Sequence, residues 1–334
     1  WAEWEMNFSE AHAYWHHRHF PGRPWDPGSG TVNQTAMVNT PDRSPLFGLA
    51  ASRLKGKPFT VSEYNHPAPN DAQAECVPMI TAFGAAQDWD GIWLFAYSHS
   101  ADAWDKQHFT SFFDIHTNPA KWGFVPADTA IFREVGITPA TGQITVGLGN
   151  LGKLIGHHRA HDRDMFALGK LTPTDALRHR IVMSFGDSTA DKELGEFVIG
   201  WCTEGLFGVP SKLSAVQVIA RNKQRHAQTV TALDGLPLAR SNKILITLCG
   251  RCENTDMQFS KDRRTVGRNW GEAPVRIEAP KLPLAVPGKG YRCYALLPNG
   301  KRGTEVPVYG KGDEWVDPDP KYQTMWYLLT RAKK

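Results

Sequence analysis

Two apolar runs joined by a helical segment constrain this chain more than any other feature. KPFTVSEYN (residues 57–65) rises through Phe59, Thr60 and Val61, the β-branched and aromatic signature of a buried strand, and ends in polar groups. GIWLFAYSH (residues 91–99) follows the same course. Between them, residues 71–87 follow a Pro-Ala-Pro-Asn turn and repeat small or apolar side chains at Ala72, Cys76, Met79, Ile80 and Phe83, a helical face despite Pro78. Strand, helix and strand at this spacing predict a βαβ unit, whose two strands lie parallel and are covered by helices. Glu63, Tyr64, Asn65 and His66 then converge with Tyr97, Ser98 and His99 at the carboxyl end of the sheet, where α/β folds bind ligands. A third segment, NFSEAHAYWHHRHFPG (residues 7–22), carries Glu10, His12, Tyr14 and His16 at alternate positions, which a strand would place on one face.

The pattern changes after residue 137. QITVGL (143–148), HRIVMSF (179–185), SAVQVIA (214–220), KILITLC (243–249), VRIEAP (275–280) and YRCYALLP (291–298) are short β-type runs broken by turn residues, as in an all-β sandwich. PNGKR (298–302) supplies an Asn-Gly hairpin turn. The expected organisation is an α/β region over 1–137 and a β-sandwich over 138–334, with the tail from Trp315 onward running back over another domain.

Other classes fall away on composition. The 38 basic and 34 acidic residues are spread without a dense Lys/Arg run, so nucleic acid is not an expected partner. No window approaches the roughly 18 apolar residues of a membrane span, and Glu3 and Glu5 stand where a signal peptide would be basic and then apolar. Five cysteines are too few for a disulfide scaffold, and the lone CxxC of Cys249 and Cys252 has no second pair to complete a zinc site. His16, His17 and His19 with His157, His158 and His161 raise a metal site, but Arg159 and Arg163 interleave the second group and repel a cation, so a solvated loop is expected. No metal and no cofactor is expected. ARNKQRH (220–226) is read as a polar edge of the sandwich.

His12-Ala13-Tyr14, then Glu63 in VSEYN, then QDWDGI (87–92) leading into the aromatic run through Tyr97 together resemble strands six, seven and eight of a cellulase-like (β/α)₈ glycoside hydrolase of clan A. The fold class implied is α/β plus all-β: a partial TIM-type barrel followed by a β-sandwich, which such hydrolases often carry at their C-terminus. The resemblance makes Glu63 the catalytic nucleophile of a retaining hydrolase acting on β-linked polysaccharide. It implies substrate contact by His12, Tyr14, His16, Asn65, Tyr97 and His99, with the Tyr14 hydroxyl donating to Glu63, and export of the parent enzyme to an extracellular or periplasmic site. Trp15, Trp25, Trp89 and Trp93 are candidates for a sugar-stacking platform or for the core.

The departure from the family is equally definite. A retaining hydrolase needs two carboxyl groups roughly 5 to 5.5 Å apart, and the family draws its acid/base, a Glu after Asn, from strand four. Only about six residues precede the segment matched to strand six, so this chain is expected to lack the first five strands and to complete its barrel with another polypeptide or a missing N-terminal half. Glu10 is the nearby alternative acid. The rival reading is a non-catalytic carbohydrate-binding or assembly module, and a third is a hydrolase of another ester or glycoside with Glu10 or a histidine as proton donor.

Overall fold

The computed structural model describes residues 2–26, 28–134, 136–150, 152, 155–156, 165–185, 189–190, 198–221 and 224–331. Three parallel strands, β1 (Ser9–Tyr14), β2 (Phe59–Asn65) and β3 (Gly91–Leu94), form one sheet in the order β1-β2-β3. The accompanying helices are α1 (Ala2–Glu5), α2 (Pro45–Ala50), α3 (Cys76–Ala86), α4 (Pro119–Trp122) and α5 (Val125–Arg133). Helix α3 makes the crossover between β2 and β3, as the spacing predicts. All eleven of its residues are buried, because it is enclosed between α5 and strands of the second half of the chain. The Ser44 hydroxyl starts α2 by accepting from the Leu46 N–H at 3.2 Å, with Pro45 in the first helical turn.

Among the described residues the sheet has three strands, with β1 and β3 at its edges. Three strands are too few to curl into a closed cylinder, and no barrel is formed among the described residues.

The expected sandwich is altered in two ways. First, β4 (Gly142–Gly147) and β5 (His179–Ser184) pair in parallel, and β6 (Thr189–Ala190) joins β4 antiparallel. This small sheet attaches to the βαβ unit. The Met183 N–H donates to the Arg53 carbonyl at 2.7 Å and the Lys55 N–H to the Met183 carbonyl at 2.8 Å. The buried Gln87 amide donates to the Ala176 and His179 carbonyls, both at 2.7 Å, and accepts from the Ile181 N–H at 2.9 Å. Those bonds satisfy a buried polar side chain and fix the strand's position together.

Second, the remaining long strands make one continuous antiparallel sheet of eight. Its members are β7 (Gly200–Cys202), β8 (Leu206–Pro210), β9 (Ser214–Arg221), β10 (Gln224–Ala232), β11 (Lys243–Cys249), β15 (Arg292–Leu296), β16 (Arg302–Val306) and β19 (Trp326–Thr330), in the order β16-β15-β19-β11-β10-β9-β8-β7. A ribbon of β12 (Cys252–Thr255) and β13 (Glu272–Ile277) and a small sheet of β14 (Leu284–Ala285), β17 (Val308–Tyr309) and β18 (Trp315–Val316) account for the remaining strands among the described residues. Helices α3 and α5 lie against β9, β10 and β11, so the layer covering that part of the sheet is helical rather than a second sheet. The other covering is local: Leu284, Val286 and Val316 pack with Ile244, Ile246, Cys293 and Leu329.

The Asn-Gly hairpin forms between β15 and β16, with Gly300 at φ 76°. The tail enters the middle of the large sheet as β19, between β15 and β11, and the Trp326 indole donates to the Gly123 carbonyl at 2.7 Å. The larger apolar core runs through both halves, from Phe59 and Phe83 through Met183 to Phe207, Val218 and Cys249, and a second, smaller one lies between the large sheet and β14 and β18. Among the described residues no helix is long and apolar enough to cross a membrane.

Candidate active site

A bulge in β2 decides which way Glu63 points. Ala11 is opposite Val61 but His12 is opposite Glu63, and Val61 and Tyr64 are opposite Ile92 and Leu94, so Ser62 is an extra residue against both neighbouring strands. Before it, Phe59 and Val61 face the core and Thr60 faces away; after it, Tyr64 is fully buried and Glu63 is half-buried on the other face. Were Ser62 an ordinary in-register residue, simple alternation along 59, 61 and 63 would put Glu63 on the same side as Phe59 and Val61. In β1 the same parity gives Glu10, His12 and Tyr14 the open face.

Tyr14 and Glu63 meet there. The Tyr14 hydroxyl donates to Glu63 Oε2 at 2.5 Å, a short charge-assisted bond. Burial first, and then this carboxylate, push the Tyr14 phenol well above its ordinary value, so it stays protonated and able to donate. Tyr14 is held by three rings, Phe113 at 5.0 Å, His17 at 5.3 Å and Phe95 at 6.2 Å between centroids. Phe95 also meets His99 edge-on at 5.1 Å, and the His99 imidazole is oriented by a short hydrogen bond from Nδ1 to Asp114 Oδ1.

The other candidates separate. Asn65 is fully buried, and its amide donates to the Phe95 carbonyl and, at 2.7 Å, to the Phe113 carbonyl, while its oxygen accepts from the His66 N–H at 2.8 Å. It pins the loops that carry the Tyr14 rings and has no polar group left for a substrate. His16 lies past the strand with φ 55° and turns onto Trp15, whose ring centroid is 3.8 Å away; burial, then Arg43, holds its imidazole below the ordinary value. Tyr97 is exposed and packs with His116 and Trp122, each at 5.4 Å. His12 is exposed directly opposite Glu63. Glu10 sits two residues earlier on β1, roughly 6.6 Å along the strand, and its charge is felt by Glu3, whose carboxyl is raised first by burial and then by Glu10. Of the tryptophans, Trp15 and Trp89 are in the core, whereas Trp25 and Trp93 are exposed.

Among the described residues no three His, Cys, Asp or Glu side chains gather as a metal site; His157, His158 and His161 lie outside the described residues. Cys249 and Cys252 are buried free thiols, and burial raises both above the ordinary thiol value, Cys252 to about 12.

Phe95, Phe113, His17, Arg18 and Asp114 form the surroundings of Tyr14 and His99, and Phe113, Arg18 and Asp114 carry no sequence pattern that singles them out; the run TSFFDIH (residues 110–116) gives only an apolar pair beside an acid. No family model, no curated protein and no solved structure matches this chain.

Proposed function

We propose that this chain is part of a retaining hydrolase of β-linked glycans, with Glu63 as the nucleophile. The observation that carries this reading is the 2.5 Å bond from the Tyr14 hydroxyl to Glu63 Oε2, at the carboxyl end of parallel strands and on their open face. A donor on one carboxylate oxygen fixes the group's orientation and leaves the other oxygen to attack. In the first step Glu63 bonds to the anomeric carbon as the glycosidic oxygen leaves with a proton from a second carboxyl. In the next, that residue takes a proton from water, the water oxygen bonds to the anomeric carbon, and Glu63 is released.

The second carboxyl is part of the proposal and comes from outside β1, β2 and β3. On this reading the three strands are strands six to eight of a (β/α)₈ barrel, completed by an N-terminal half or a second polypeptide, and the parent enzyme is exported. A 2,4-dinitrophenyl 2-deoxy-2-fluoro-β-glycoside tests it, because so good a leaving group needs no protonation. Mass spectrometry of the full chain should find the label on the peptide containing Glu63 and none in Glu63→Gln; label on another residue would overturn the assignment. Ordinary glycosides should turn over slowly with the purified chain, and robust turnover by the monomer would remove the need for an external acid.

One observation favours the binding-module reading. Tyr309 and Trp315 are cross-strand neighbours on β17 and β18, stacked at 4.5 Å and both exposed, a surface suited to a sugar face. Glycan affinity that survives Glu63→Ala but is lost in Tyr309→Ala would support that reading instead.

A further inference from the structure

The segment that leaves β1 carries an arginine in an unusual setting. Four rings surround the Arg18 guanidinium, with Cζ at 4.5 Å from the centroid of Phe112, 4.6 Å from Trp25, 4.9 Å from Phe20 and 5.2 Å from Phe113. Among the described residues it has no carboxylate partner. Its Nε is sealed from solvent with no acceptor, whereas its two terminal Nη groups are not sealed. The acid that follows it in sequence, Asp26 beside Trp25, is occupied: it accepts from the Gly28 N–H at 3.0 Å and faces Arg268 at 3.8 Å. Burial lowers the Arg18 guanidinium from its ordinary value, but arginine remains charged at any working pH.

A half-buried cation without a counter-ion is costly unless something compensates it. The rings compensate in part through their faces, and packing among four of them restrains the side chain. Arg18 shares Phe113 with Tyr14, whose centroid is 5.0 Å from that ring. The guanidinium and the Tyr14 ring, whose hydroxyl bonds Glu63, therefore pack against the same ring, Phe113. Asp114, the carboxylate next to Phe113 in sequence, is held by His99.

The geometry points to Arg18 as a specificity-determining residue that takes the carboxylate of a uronic acid in the glycan substrate. Two parallel Nη–H donors match the two oxygens of a carboxylate, and Phe20 and the exposed Trp25 offer apolar surface for the sugar ring that bears it. This inference rests on the glycosidase reading above and names its substrate class.

The test is equilibrium binding of 4-methylumbelliferyl β-D-glucuronide and of the matching β-D-glucoside to the full chain, followed by titration fluorescence. The wild-type protein should bind the glucuronide at least about tenfold more tightly, with the preference shrinking at high salt. Arg18→Gln should bring the ratio of the two dissociation constants close to one, and Arg18→Lys, which keeps the charge but not the fork, should leave a preference between the two. Equal binding of both ligands by the wild type overturns the inference, as does a preference that persists in Arg18→Gln. If Arg18→Gln fails to fold, the wild-type ratio and Arg18→Lys still decide. Labelling of Glu63 by the fluoroglycoside with no glucuronide preference rejects the role of Arg18 alone; an Arg18-dependent preference with no label on Glu63 rejects the nucleophile instead.

Discussion

Inserting one residue after Ser62 should be far more damaging than substituting or deleting it. Ser62 is exposed, so Ser62→Ala should change stability by no more than about 0.5 kcal/mol. Deleting it joins Val61 directly to Glu63 and restores plain alternation, with Glu63 still on the open face and Tyr64 still in the core. A residue inserted between Ser62 and Glu63 is not absorbed by the bulge. It takes the place opposite His12, so Glu63 turns toward Phe59 and Val61 and Tyr64 turns out to the open face. Tyr64 is fully buried in the native chain and its hydroxyl bonds His66 Nε2 at 2.9 Å. Exposing an aromatic side chain of about 150–250 Å² at about 25 cal/mol/Å² costs roughly 4–6 kcal/mol as an upper figure, before any penalty for a carboxylate in the core. That is comparable to the whole stability of many domains. Urea unfolding followed by tryptophan fluorescence, with CD to check the fold, measures it. An insertion variant within about 1 kcal/mol of Ser62→Ala, and still labelled on the same Glu, would refute the argument that the bulge orients the site.

Tyr14→Phe removes a hydrogen bond to a charged group, worth about 1.5–3 kcal/mol, so labelling of Glu63 by the fluoroglycoside should slow by roughly 10- to 150-fold; an unchanged rate would mean the bond does not serve the nucleophile. Glu75 is fully buried, and burial lifts its carboxyl to about 8 although the Met37 and Val38 N–H groups bond it. Its folded value is above its unfolded one, so the stability tied to its proton is present below about pH 4.5 and is lost as pH rises through about 8. The difference in unfolding free energy between wild type and Glu75→Gln should therefore shift in favour of the variant across that window, and a pH-independent difference would contradict it. Lys121 is buried with no acceptor for its ammonium among the described residues, and burial lowers it to about 8. Here the folded value lies below the unfolded one, so the penalty is full below pH 8 and fades toward pH 10.4. Lys121→Met should stabilise by about 1–4 kcal/mol at pH 7 and by less at pH 10, read from paired denaturation curves; destabilisation at pH 7 would show that the ammonium has a stabilising role.

The βαβ unit was legible because its two apolar runs and the helical face between them are local patterns with few other solutions. The strands at 214–220, 243–249 and 291–298 were legible for the same reason, and so was the Asn-Gly turn. The pairing of β4 with β5 was not: a continuous apolar run reads the same in a parallel sheet as in a sandwich, and what anchors β5 is the side-chain amide of Gln87, more than ninety residues away from Ile181. The size of the large sheet was hidden by the same limit, since nothing local in WYLLT states that it enters between β11 and β15. At the site, alternation correctly grouped Glu10, His12 and Tyr14 but could not foresee that His16 turns back with positive φ. Asn65 looked like a substrate contact by position, and only its three backbone partners reveal a brace.

The continuous core has a practical consequence for anyone dissecting this protein. Because α3 and α5 supply the cover for β9, β10 and β11, cutting the polypeptide near residue 140 would strip an oily wall from one fragment and orphan two helices in the other. Neither piece should behave as a self-sufficient folding unit, and heating the intact molecule should melt both halves in one calorimetric peak.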